Sequence, residues 1–188
     1  MKRIKTILVC APLYLLSSYI SQSSEAGILK GHLNPITEEI VVEEPIKIDT
    51  KSHDHFLRAI GHMESGNKYN IVNKWGYMGR YQFGRSTLQT LGYNITRKEF
   101  LSNPALQEEA MHKLLKYNKF TLKHYINTYD GKSVWGVNIT ESGLLAAAHL
   151  AGSGNVKRFF QKGLDFKDAN GTKMTFYMKQ FGGYKLNI

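Results

Sequence analysis

Gly61-His62-Met63-Glu64-Ser65-Gly66, followed after a short gap by Trp75-Gly76-Tyr77-Met78-Gly79-Arg80-Tyr81-Gln82-Phe83-Gly84, decides how the rest of the chain is read. The first run closes an amphipathic pattern. Phe56, Leu57, Ile60 and Met63 recur at three- and four-residue steps, with Ser52 as cap and Gly66 as stop, which predicts a helix. Glu64 then falls at the end of that helix, beside its apolar face. Partial burial and the negative helix end both disfavour the ionised carboxylate, so this side chain is suited to carry a proton and give it to a leaving oxygen. In the second run Gly76, Gly79 and Gly84 let the backbone take positive φ or pass close to a ligand. Tyr77 and Tyr81 offer ring faces, and Gln82 offers an amide. Trp75 and Phe83 read as packing residues, Arg80 and Arg85 as solvated charges.

Working outward, the apolar pattern stays helical. Asn103-Pro104 is a cap followed by proline in the first turn, and Leu106, Ala110, Met111, Leu114, Leu115, Leu122, Tyr125 and Ile126 then share one face. Residues 86–91, closed by Gly92, make a short helix. Thr140 caps a helix whose residues 144–151 are almost wholly apolar and end at Gly152, the pattern of a helix buried at the centre. Segments at 155–162 and 172–181 complete a set of about six helices. Strand signals are confined to 71–72 and the glycine-rich 77–83. The sequence therefore predicts a mainly α domain with a small irregular or hairpin segment near the cleft that Glu64 serves.

Composition bounds the rest. A chain of 188 residues has room for one ordinary domain, and 42% hydrophobic with 12% aromatic residues is enough for a core. The single cysteine, Cys10, excludes a disulfide framework and a cysteine-based zinc ribbon. Lys2, Arg3 and Lys5, the apolar run through Leu8, Val9, Leu15 and Leu16, and the small-x-small Ser24-Glu25-Ala26 read as an export leader over 1–26. Broken by Pro12, that run is a poor membrane span. Residues 27–52 follow as an acidic linker with a short strand at 40–42, where Glu38, Glu39, Glu43, Glu44 and Asp49 outnumber Lys30, Lys47 and Lys51. The folded part, 53–188, then carries the cationic excess behind the net charge of +10, and its partner is expected to be anionic. Wall polymer, anionic lipid and nucleic acid all meet that description.

Ser65 directly after Glu64, with Gly76, Gly79 and Gln82 at offsets of 12, 15 and 18 from that glutamate, resembles the active-site segment of the lytic transglycosylases with a lysozyme-like fold. Ala148-His149-Leu150-Ala151-Gly152-Ser153-Gly154-Asn155-Val156 is similar to the family's Ala-Tyr-Asn-Ala-Gly-x-Gly-x-Val box. Tyr177 is placed like the late tyrosine that borders the family's catalytic glutamate. The resemblance spans 53–188 and implies a lysozyme-like, two-lobed helical domain. It makes Glu64 the catalytic residue and puts Ser65, Tyr77, Gly79, Tyr81, Gln82, His149 and Tyr177 in contact with a glycan strand. His149-Leu150 in place of Tyr-Asn, and Arg80-Tyr81 in place of an apolar pair, mark a divergent branch.

Most glycosidases need two carboxylates. Between Ser65 and Lys98 there is no Asp or Glu, and the position nine residues after Glu64, where phage-type lysozymes carry Asp, is Asn73. Lytic transglycosylases manage with one glutamate, which protonates the leaving oxygen and then deprotonates the C6 hydroxyl of muramic acid, closing a 1,6-anhydro ring. That outcome is expected here. Glu99, Asp130 or Glu141 could fold into the cleft and give a hydrolysing lysozyme instead, and a non-catalytic glycan-binding module is the other alternative. A nucleic-acid binder has the charge but no motif to support it. His53, His55 and His62 have only Asp54 beside them, too few ligands for zinc, so neither metal nor cofactor is expected. The expected protein is a monomer working on peptidoglycan in the periplasm or at the wall of a bacterium.

Overall fold

The computed structural model describes residues 51–188. The leader read at 1–26, the linker up to residue 50 and the strand at 40–42 lie outside the described residues. Helix makes up 57% of what is described, so the fold is mainly α.

Seven helices are found among the described residues. Helix α1, His53–Ser65, begins at Ser52, whose side chain accepts from the His55 N–H, and ends at Gly66, which is left-handed with φ 65°. Helix α2, Arg85–Thr90, is short. Helix α3, Arg97–Leu101, was not expected from the apolar pattern. It rests on a capping box in which Thr96 and Glu99 each accept from the other's backbone N–H. Helix α4, Pro104–Tyr129, is the longest, opened by the Asn103 side chain. A two-stranded hairpin, β1 Ser133–Val134 and β2 Val137–Asn138, turns on Trp135 and Gly136, both at positive φ. Then come α5, Glu141–Ala151, capped by Thr140; α6, Ser153–Lys162; and α7, Met174–Gln180.

Helix α5 is the centre of the packing, with Ser142 through Ala148 all buried and α4, α6 and α7 laid against it. Gly143 makes the α5–α7 approach possible, because a Cβ there would stand 2.5 Å from the Met178 carbonyl. Phe56 and Ile60 of α1, Tyr81, Phe83 and Phe100, and Met111, Leu115 and Leu122 of α4 complete one core. The expected apolar face of α4 is there, but it also buries two polar residues, Gln107 and Asn118.

The strands expected at 71–72 and 77–83 are not strands. Val72 pairs with Met78, and Met78 with Phe83, as isolated bridges. Positive φ at Gly76 (85°), Gly79 (72°) and Gln82 (51°) coils the segment too tightly for a ladder to extend. The hairpin lies instead at 133–138.

Candidate active site

The last turn of α1 and the coiled segment that follows are joined by polar contacts directed inward. The Ser65 hydroxyl donates to the Arg80 carbonyl at 2.8 Å and accepts the Lys68 N–H. Arg80 turns into the protein: Nη1 donates to Glu108 Oε1 at 2.8 Å and to the Tyr69 hydroxyl at 3.0 Å, and Nε donates to Asn67 Oδ1. Tyr81 is fully buried and donates to Glu108 Oε2 at 2.6 Å. Gln107, also fully buried, accepts the Arg80 N–H and donates to the carbonyls of Tyr69 and Phe100. Gly79 is glycine because a Cβ at that point would collide with the Gln107 amide.

These contacts correct part of the sequence expectation. Ser65, Gly79 and Tyr81 hold the segment in shape from inside rather than meeting a ligand. Arg80 is paired and largely buried instead of solvated.

Glu64, Tyr77, Gln82 and His149 do come together. They line one groove with Asn73, Trp75, Leu150, Asp168, Ala169 and Asn170, around a cavity of about 130 Å³. Tyr77, Gln82, His149 and Leu150 also border a second cavity of about 310 Å³, lined by Ser86, Thr87, Thr90, Tyr117, Asn118 and Ser153. The two cavities thus adjoin along these four residues, and the second is rich in hydroxyls. The Asn118 amide nitrogen, buried beside the second cavity, has no hydrogen-bond partner. Trp75, read as a packing residue, is exposed on the groove. Asn73 shapes this rim, since its Oδ1 accepts the backbone N–H of both Trp75 and Tyr77.

The Glu64 side chain is 16% exposed, and its Oε1 accepts the Tyr177 hydroxyl at 2.8 Å. Burial, reinforced by the carboxylates of Glu64 and Asp168, raises the Tyr177 pKa far above the ordinary tyrosine range, so the phenol stays a donor. His149 Nε2 lies 3.6 Å from the same Oε1, and the ring is 6% exposed, edge-on to Phe83. Burial lowers the His149 pKa against the opposing pull of the Glu64 carboxylate and the Tyr81 carbonyl. The imidazole is therefore neutral at neutral pH.

A consequence for stability follows. His149 in the unfolded chain takes up a proton near its ordinary value of 6.5, while the folded site resists it. Between the two pKa values the unfolded state binds more protons, so stability falls as pH drops below about 6.5, by at most about 1.4 kcal/mol per pH unit for one group. Thermal melts at pH 7 and pH 5 check this. The wild type should lose more on acidification than His149→Gln; equal losses would contradict the buried neutral ring.

The groove also holds an acid that the sequence reading passed over. Asp168 lines it, with Oδ1 accepting the N–H groups of Asn170 and Thr172. The three carboxylates considered instead are engaged elsewhere. Glu99 caps α3, Asp130 accepts the Glu141 N–H, and Glu141 pairs with Lys119 at 2.9 Å. Among the described residues, no group of three or more His, Cys, Asp or Glu is placed to hold a metal ion. Nor is any described helix long and apolar enough to cross a membrane. No protein-family model, curated protein or solved structure matches the chain.

Proposed function

We propose that this chain cleaves the glycan strands of peptidoglycan as a lytic transglycosylase, with Glu64 as acid and then as base. One observation carries the reading. Glu64 lies on a groove with Oε1 held by the Tyr177 hydroxyl, which leaves Oε2 for a ligand. The exposed rings of Trp75 and Tyr77 along that groove suit stacking on sugars, and the hydroxyls and amide of the adjoining cavity suit their polar edges. In this reading the helical domain is a divergent lysozyme-like domain. It is exported to the periplasm or wall and acts there as a monomer without a cofactor.

The chemistry balances on the substrate itself. Protonated Glu64 gives its proton to the glycosidic oxygen, and the bond from that oxygen to C1 of muramic acid breaks. The carboxylate then takes the proton of the C6 hydroxyl while the C6 oxygen bonds to C1. A 1,6-anhydro ring closes, and Glu64 is protonated again. No water is consumed. Asn73 suits this course, because its side-chain oxygen is committed to two backbone N–H groups and carries no charge.

Asp168 favours a second reading, hydrolysis, in which it would activate a water. Asp168→Asn separates the two. The amide oxygen can still accept from Asn170 and Thr172, so the loop should persist. The transglycosylase reading expects the same anhydro products at a rate within about tenfold of wild type; a fall of about 10²–10⁴-fold with loss of reducing-end products would assign hydrolysis. The test of the function itself is incubation of the protein with purified sacculi. Soluble muropeptides with 1,6-anhydro ends support it. Co-sedimentation with sacculi and no release would make the protein a binding module.

A further inference from the structure

We propose that His149 is a positioning residue for Glu64: its Nε2–H and the Tyr177 hydroxyl converge on Oε1, so that only Oε2 is left to exchange a proton with the glycan. The inference rests on Glu64 being the acid and goes beyond it by assigning what fixes the orientation of that acid.

The ring is badly placed to hold sugar. It stands in the last turn of α5 with 6% of its side chain exposed, and Phe83 meets its ring edge-on. What it does face is Glu64, with Nε2 3.6 Å from Oε1. That separation is longer than a hydrogen bond, and catalytic hydrogen bonds in ligand-free sites commonly close only when substrate binds.

Nδ1 is buried and makes no hydrogen bond, although the Tyr81 carbonyl lies beside the ring. An apolar side chain of similar size would fill this place without burying an unsatisfied nitrogen, so the imidazole needs a reason to be here. The proposal requires the neutral ring to carry its proton on Nε2, the nitrogen turned toward Glu64.

Two donors on one oxygen have a specific effect. Oε1 is the carbonyl oxygen while Glu64 is protonated and an acceptor still when it is a carboxylate. The clamp persists through both halves of the reaction and keeps the mobile proton on Oε2. Neither donor touches the glycan in this scheme, so losing one should lower kcat and leave KM nearly unchanged.

The test uses soluble glycan strands as substrate, with the full chain and its variants His149→Leu and His149→Gln. His149→Leu should lower kcat by about 10²-fold, the scale of a misplaced catalytic group, with KM within about threefold. His149→Gln, whose amide N–H reaches the same side of Glu64, should recover to within about tenfold of wild type. Equal impairment of both variants would reduce His149 to packing, and near-normal kcat in a folded His149→Leu would overturn the proposal.

A readout independent of activity is the nitrogen-15 spectrum of the His149 ring at neutral pH. The expected ring is neutral with its proton on Nε2; a proton on Nδ1 alone, or on both nitrogens, overturns the proposal. Full activity in Glu64→Gln would instead remove the reading of Glu64, and leave the spectrum to be judged by itself.

Discussion

Glu64→Gln should stop release of soluble fragments from sacculi, with turnover reduced by about 10³-fold or more, toward the upper range for loss of a general acid and base. The amide is close to isosteric with the carboxyl, and its oxygen can still accept the Tyr177 hydroxyl. It has no proton acidic enough for a leaving oxygen and no basic site to take one back. The melting temperature and co-sedimentation with sacculi should change little, which separates lost chemistry from lost fold. A variant that retains near-normal turnover would show that another group is the acid, and Asp168 would be the first to test.

The second large effect is on stability. Gln107→Leu should destabilise the fold by about 2–6 kcal/mol, because leaving a buried donor or acceptor unpaired costs about 1–3 kcal/mol for each group. Two groups depend on this one amide, the Arg80 N–H and the Tyr69 carbonyl, and a third, the Phe100 carbonyl, shares it with the Asn103 N–H. Leucine fills much of the space and bonds to neither the Arg80 N–H nor the Tyr69 carbonyl. Against a typical total of about 5–15 kcal/mol, the loss is large enough to loosen the segment that carries Tyr77 and Gln82 into the groove. Urea unfolding measures it, and a change below about 1 kcal/mol would mean that the network around Gly79 is not what holds that segment.

The helix ends were legible because capping is local. Ser52, Asn103 and Thr140 each sit beside the N–H groups that they bond, and the expected starts match α1, α4 and α5. Helix α3 carried an equally readable signal in Thr96 and Glu99, but its apolar pattern is too brief to draw attention. The same holds for the hairpin, where Trp135-Gly136 lies between two valines.

The coiled segment was harder for a different reason. Its glycines read as room for a ligand, whereas Gly79 makes room for a side chain 28 positions away. Tyr81 and Arg80 point inward because Glu108, on α4, accepts from both. No spacing within 61–84 announces those partners. In the groove, Glu64, Tyr77, Gln82 and His149 were legible as residues that meet. Asp168 was not, because it lies 104 positions from Glu64 in the chain, on the loop before α7 that folds back onto the groove.

The most direct measurement of the central claim is the mass of the ends released from peptidoglycan when the reaction runs in oxygen-18 water. If the C6 hydroxyl of the sugar attacks C1 under control of Glu64, the new muramic acid ends are anhydro and carry no solvent oxygen. Reducing ends that each contain one labelled oxygen would contradict that account, because water rather than the substrate would then be the nucleophile.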